Sequence, residues 1–184
     1  MLSHGEWCRV DFNVNPPAIL LMAAFLAGIV PSRGRPSKIV RVYADRDSDT
    51  HVILADAKEA VVRHRRDQVG IDQTKIEDHQ HTAGWVILYQ DPSKSPSYRF
   101  SDIRGSLVIW RNGKIVRTFD PGTTIWSWAF VQEGNQVAYH SVPLHGERSS
   151  HCELRDVDTG RLLALWDGDL EQVDRPEWTK GLDH

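Results

Sequence analysis

From residue 38 onward, apolar and polar positions alternate with period two over short runs, and this predicts strands joined by turns. Lys38–Ala44 (KIVRVYA) sets Ile39, Arg41 and Tyr43 against Val40 and Val42 and reads as a first strand. The polar stretch Asp45–Thr50 (DRDSDT) reads as a turn. His51–Ala55 and Ala60–His64 fit two strands around Asp56-Ala57-Lys58-Glu59, yet Ile53, Ala57, Ala60, Val61 and His64 also share one helical face. The Val and Ile content and the neighbouring strands favour the hairpin, although its turn has no glycine. Asp67–His81 offers only Val69, Ile71 and Ile76 as apolar anchors and reads as a long surface connection. Trp85–Tyr89 (WVILY) is a continuous apolar run between Gly84 and Asp91-Pro92, the pattern of a strand buried on both faces. Residues 91–104, rich in Ser and Pro, read as a loop.

Leu107–Phe119 (LVIWRNGKIVRTF) carries a stronger local signal. Asn112-Gly113 suits the two positive-φ positions of a type I′ turn, whose twist matches a two-residue hairpin. That register predicts Trp110 opposite Ile115 and Ile109 opposite Val116. The two pairs lie on opposite faces, so both faces are apolar and the hairpin should be sandwiched between neighbours. Trp126, Trp128 and Phe130 then fall on one face of a further strand, Glu133-Gly134-Asn135 turns the chain, and Val137, Tyr139 and Ser141 continue the alternation back. Residues 142–150 form a loop. His151–Val157 and Arg161–Trp166 make a last hairpin around Asp158-Thr159-Gly160, a type I turn closed by a left-handed glycine. Asp167–His184 is polar apart from Leu170, Val173, Trp178 and Leu182, which predicts a docking tail.

Aligning Ile76–Trp85 on Phe130–Tyr139 puts apolar, turn, small and aromatic residues in the same slots, an internal repeat of physical class. Phe130–Tyr139 (FVQEGNQVAY) resembles the apolar–x–x–acidic–Gly–x–x–Val–Ala–aromatic segment of WD-repeat-like and TolB-like β-propellers. Glu153–Arg161 (ELRDVDTGR) is similar to their Leu-x-Asp-Val-x-Thr-Gly hairpin. The resemblance covers about residues 76–166. It implies an all-β fold of antiparallel hairpin sheets. A closed propeller needs at least about four blades of four strands, and the pattern supplies about nine or ten strands. The expectation is therefore a partial propeller of two or three blades, a compact two-sheet arrangement, or half of a homo-oligomer that closes a ring.

Ahead of this β domain, expected over residues 37–184, stands Ala18–Val30 (AILLMAAFLAGIV), thirteen residues without a polar side chain. As a helix it would reach about 20 Å, short of the ~30 Å hydrocarbon core. Its length favours a secretory leader, whereas the flanking charge (Arg9 before it; Arg33, Arg35, Lys38 and Arg41 after) favours an anchor. Residues 1–36 are expected to form an apolar leader helix or membrane anchor. The chain is then exported, periplasmic or extracellular, or held at a membrane through residues 18–30; it is cytoplasmic if the start lies further downstream.

Composition narrows the chemistry. The 184 residues carry 22 Lys and Arg against 25 Asp and Glu, and no basic block exceeds Arg63-His64-Arg65-Arg66. A nucleic-acid binder normally shows a basic stripe, so that class is excluded. Cys8 and Cys152 are too far apart for a metal or redox motif, and a disulfide between them requires the leader to be retained. Nine histidines raise the question of metal, but neither His79-x-His81 nor His140, His145 and His151 has zinc spacing. No metal or cofactor is expected, and no glycine-rich phosphate loop or G-x-S-x-G elbow is present. The loop Val142–Ser150, with Leu144, His145, Glu147 and Arg148, is the expected partner contact, because a loop on a rigid scaffold is how binding surfaces are commonly built. The chain reads as a non-catalytic binding or scaffolding module for a protein or an extracytoplasmic glycan. The alternative is a small hydrolase with its site at the strand-end loops around His140, His145 and His151.

Overall fold

Apolar alternation needs a second layer to bury against, and here each sheet finds it in the next. The computed structural model describes residues 37–90, 103–142 and 150–182. The expected leader helix, residues 91–102 of the expected 91–104 loop and the expected partner-contact residues Leu144, His145, Glu147 and Arg148 lie outside them, whereas Ile103 and Arg104 are strand rather than loop. Among the described residues eleven strands form three antiparallel sheets, none of them closed. The first sheet is β1 (Ile39–Ala44), β2 (Thr50–Leu54) and β3 (Glu59–Val62). The second is β4 (Gln68–Ile76), β5 (Thr82–Gln90), β6 (Ile103–Arg111) and β7 (Lys114–Phe119). The third is β8 (Thr124–Val131), β9 (Gln136–Val142), β10 (Ser150–Asp156) and β11 (Leu162–Gly168). Each sheet is a meander, its strands paired in chain order.

Two cores hold the three sheets together. Ala83, Trp85, Ile87, Val108 and Trp110 of the second sheet pack on Ile39, Val42 and Val52 of the first. From its opposite face, Val86, Leu107, Ile109 and Phe119 pack on Ile125, Trp128, Val137 and Tyr139 of the third. This explains the unbroken apolar run in β5: its side chains serve both cores in turn. The repeat also has a structural meaning. Trp85 and Tyr139 each project from the second strand of their sheet toward the sheet that precedes it in the chain.

Several expectations are corrected. Asp67–His81 is not a surface connection; most of it is β4. It is an edge strand, paired in its sheet with β5 alone and alternately exposed, so it needs few apolar residues. The favoured hairpin over residues 51–64 is present, and Ala57 takes the left-handed position (φ 61°) where glycine would be usual. Its second strand ends at Val62, because Arg63 and His64 turn to the Asp49 carboxylate. The Asn112-Gly113 turn has φ 53° and 83°, and Trp110 does face Ile115. A bulge then sets Ile109 opposite Arg117 rather than Val116. Only β6 of that hairpin is buried on both faces; β7 is a half-exposed edge. The expected two-sheet alternative is replaced by three sheets.

The segment after β11 does dock. Leu170, Leu182 and the half-buried Trp178, within the 3₁₀ turn Glu177–Thr179, cover Ala138, Cys152 and Leu154 on the outer face of the third sheet. Val173 stays 99% exposed and takes no part.

Candidate functional site

Two edge strands, β4 and β8, each carry a bulge, and the bulges are tied to each other. In β4 the register shifts between Asp72 and Lys75, where Gln73 adopts φ 49°. In β8 it shifts between Ile125 and Ser127, so Trp126 is the extra residue. Gln73 Nε2 donates to the Trp126 carbonyl at 2.9 Å, and Trp128 Nε1 donates to the Gln73 carbonyl at 2.9 Å. Lys75 Nζ donates to the Trp128 carbonyl and lies 5.4 Å from its ring centroid. A bulge re-aims the side chains around it. Trp128 therefore goes fully inside against Phe130, ring centroids 5.0 Å apart, while Trp126 stands 58% exposed. The sequence places Trp126, Trp128 and Phe130 on one face; the bulge removes Trp126 from it.

The ends of the long connections lie beside this clasp. Thr124 pairs with Val142, and its Oγ1 donates to the Ile103 carbonyl at 2.7 Å. Ile103 in turn pairs with Gln90. Val142 and Ile103, which flank residues 143–149 and 91–102, thus meet at Thr124, two residues before Trp126 in the same strand. The turns Glu77–His81, Asn112-Gly113 and Gln132–Asn135 occupy the other ends of their strands.

On the third sheet's inner face a chain of polar groups runs from the surface inward. Asp167 Oδ1 lies 2.7 Å from His151 Nδ1, and His151 Nε2 lies 3.3 Å from Glu153 Oε1. Glu153 Oε2 accepts from the Tyr139 hydroxyl (2.6 Å) and from Arg155 Nε (2.5 Å). Burial pushes the Glu153 carboxyl up, but the bonds from Tyr139 and Arg155 outweigh it and hold the group below its ordinary value. Burial, reinforced by the bond to Glu153, drives the Tyr139 hydroxyl far above its usual range. Arg155 also donates to the Gly160 carbonyl, and Arg117 to those of Val157 and Asp158, which pins the β10–β11 turn against β7. Arg117 thus ties the second sheet to the third, while the Glu153 network is spent on bonds within the third.

The histidines considered as a hydrolytic cluster are not brought together. His140 pairs with Cys152 and faces the docked tail, whereas His151 pairs with Ser141 on the opposite face. His145 is outside the described residues. Burial raises the Cys152 thiol to about 12, so it is a packed side chain and not a nucleophile. His79 and His81 do line one open cleft with Glu77 and Glu133, but the Glu77 carboxylate is occupied by the backbone N–H groups of both histidines at 2.7 Å. Among the described residues no group of three or more His, Cys, Asp or Glu side chains is arranged to hold a metal ion. No protein-family model matches the sequence, and no curated protein matches it.

Proposed function

We propose that the chain is a non-catalytic binding or scaffolding module, a partial β-propeller of three blade-like sheets that meets its partner around Trp126. The partner is a protein or an extracytoplasmic glycan. The observation that carries this reading is the Gln73–Trp126 clasp: a left-handed glutamine and two bulges spend backbone regularity to hold a large indole in solvent. An amphipathic aromatic ring on a rigid frame serves both partner classes, as a hot spot in protein interfaces and as a stacking platform for sugar rings. Chain-order meanders packed face to face, with an aromatic of each second strand turned to the preceding sheet, support the propeller-like reading.

The test is a binding screen of the full chain against protein and glycan panels, with Trp126→Ala alongside. The expected result is a ligand that binds wild type and perturbs indole fluorescence, weakened at least ~10-fold by Trp126→Ala while the denaturation midpoint stays unchanged. Binding that ignores Trp126→Ala overturns the assignment of this site. Hydrolysis of an ester, peptide or glycoside that disappears in His151→Ala overturns the non-catalytic reading.

A further inference from the structure

The two terminal sheets differ in what covers them. The third sheet's outer face is closed by the chain's own tail, with Ser127 Oγ donating to the Leu182 carbonyl at 3.4 Å. On the outer face of the first sheet, Arg41, Tyr43, His51 and Glu59 make their ring and hydrogen-bond contacts with one another and with Asp45. The side chains of this face form two rows set by the strand register. Arg41, Ile53 and Glu59 make one, and Tyr43, His51 and Val61 make the other. Val61 is 42% exposed, and Tyr43 and Ile53 are half-exposed.

We propose that this face binds a second copy of the chain, forming a two-fold dimer in which Arg41 of each copy meets Glu59 of the other. The argument is charge complementarity under symmetry. Within the first row the cation sits on β1, the apolar residue on β2 and the anion on β3. A two-fold axis lying between two such faces, parallel to β2, keeps each row in place and exchanges its edges. Arg41 then lies over Glu59 of the second copy, and the reverse. Ile53 lies over its own symmetry mate, and Tyr43 lies over Val61 of the second copy.

The face is also held ready for contact. Tyr43 stacks on His51 with centroids 4.9 Å apart and an interplanar angle of 11°, and the Arg41 guanidinium carbon lies 4.7 Å from the Tyr43 centroid. His51 is gripped between Glu59 Oε1 (2.5 Å) and Asp45 Oδ2 (3.0 Å), and these carboxylates offset the approach of two imidazoles at the axis. Head-to-tail addition, first sheet on third, requires the 169–182 segment to leave its core. The face-to-face pairing requires no described segment to leave a core.

Size limits the strength. Three strands ~4.8 Å apart and about five residues long present a plane on the order of 250 Å², well below the ~800 Å² per partner of a standard interface. The dimer is therefore weak, and the concentrations to search run from about 10 μM to about 1 mM.

Sedimentation of the full chain across this range is the test. Arg41→Glu alone and Glu59→Arg alone should each weaken dimerisation at least ~10-fold, and the double charge swap should restore it to within about three-fold. A second measurement does not depend on tolerance of charge reversal. In a Cys8→Ser background, Ile53→Cys should give a covalent dimer with a short bis-maleimide able to span the ~10 Å between packed sheets, while Val69→Cys, more exposed and on β4, should not. A chain that stays monomeric overturns the proposal. So does a dimer indifferent to the single reversals, or one not rescued by the swap, or an Ile53→Cys chain that fails to cross-link.

Discussion

A methyl group on Gly84 would stand 2.6 Å from Cη2 of Trp128. The indole of the third sheet lies directly on the backbone of the second, and the absence of a side chain at Gly84 makes the approach possible. The ring cannot swing aside without losing its Nε1 bond to the Gln73 carbonyl.

Gly84→Ala should therefore destabilise the chain by about 1–3 kcal/mol through overpacking. Urea denaturation should show a lower midpoint with an unchanged m-value. Trp128→Phe in the same chain removes the clashing ring edge, so the double variant should lose less than the two single losses added together.

Tyr139 donates to the carboxylate of Glu153, whose side chain is only 11% exposed. Tyr139→Phe keeps the ring in the core and leaves Glu153 Oε2 with Arg155 alone. The expected loss is about 1.5–3 kcal/mol, the range for a hydrogen bond to a charged group. Equilibrium denaturation at pH 7 measures it, and a loss below ~0.5 kcal/mol would show that Arg155 suffices.

The first sheet should lose stability at both ends of the pH scale. Asp49 accepts from the His64 backbone N–H (2.8 Å), from His64 Nδ1 (2.9 Å) and from Arg63, and these bonds, the backbone one first, hold its carboxyl far below the usual range. A depressed carboxylate gives its full contribution above the ordinary aspartate value near 3.9, and loses it as pH falls below that value. His51 is displaced the other way, held above its ordinary value by Asp45 and then Glu59. Its contribution is complete below about 6.5 and fades as pH rises through the folded-state value. Denaturation series should show a flatter acid limb in Asp49→Asn and a flatter limb above pH 6.5 in His51→Gln. Curves parallel to wild type would remove these groups from the account.

Much of the β architecture is legible in local chemistry. Asn112-Gly113 and Gly160 announce turns because few residues tolerate positive φ, and those positions have it. The run Trp85–Tyr89 announces a doubly covered strand because no polar residue interrupts it. β4 is not legible, since an edge strand paired on one side can be as polar as a loop. The candidate site was half visible: the aromatic triplet could be seen, but nothing local marks Trp126 as the residue that a bulge would turn outward. That bulge is tied to Gln73, 53 positions away.

The sequence by itself determined the all-β class, the hairpins and their turns, because these depend on side-chain period and on φ preferences within a few residues. Tertiary structure decided that there are three sheets, that a docked tail covers the outer face of the third, and that the outer face of the first carries Arg41 and Glu59 on opposite edges. Each of these is a packing of segments far apart in the chain, such as Gly84 on Trp128. It depends on shape and register across a gap, which no local pattern encodes.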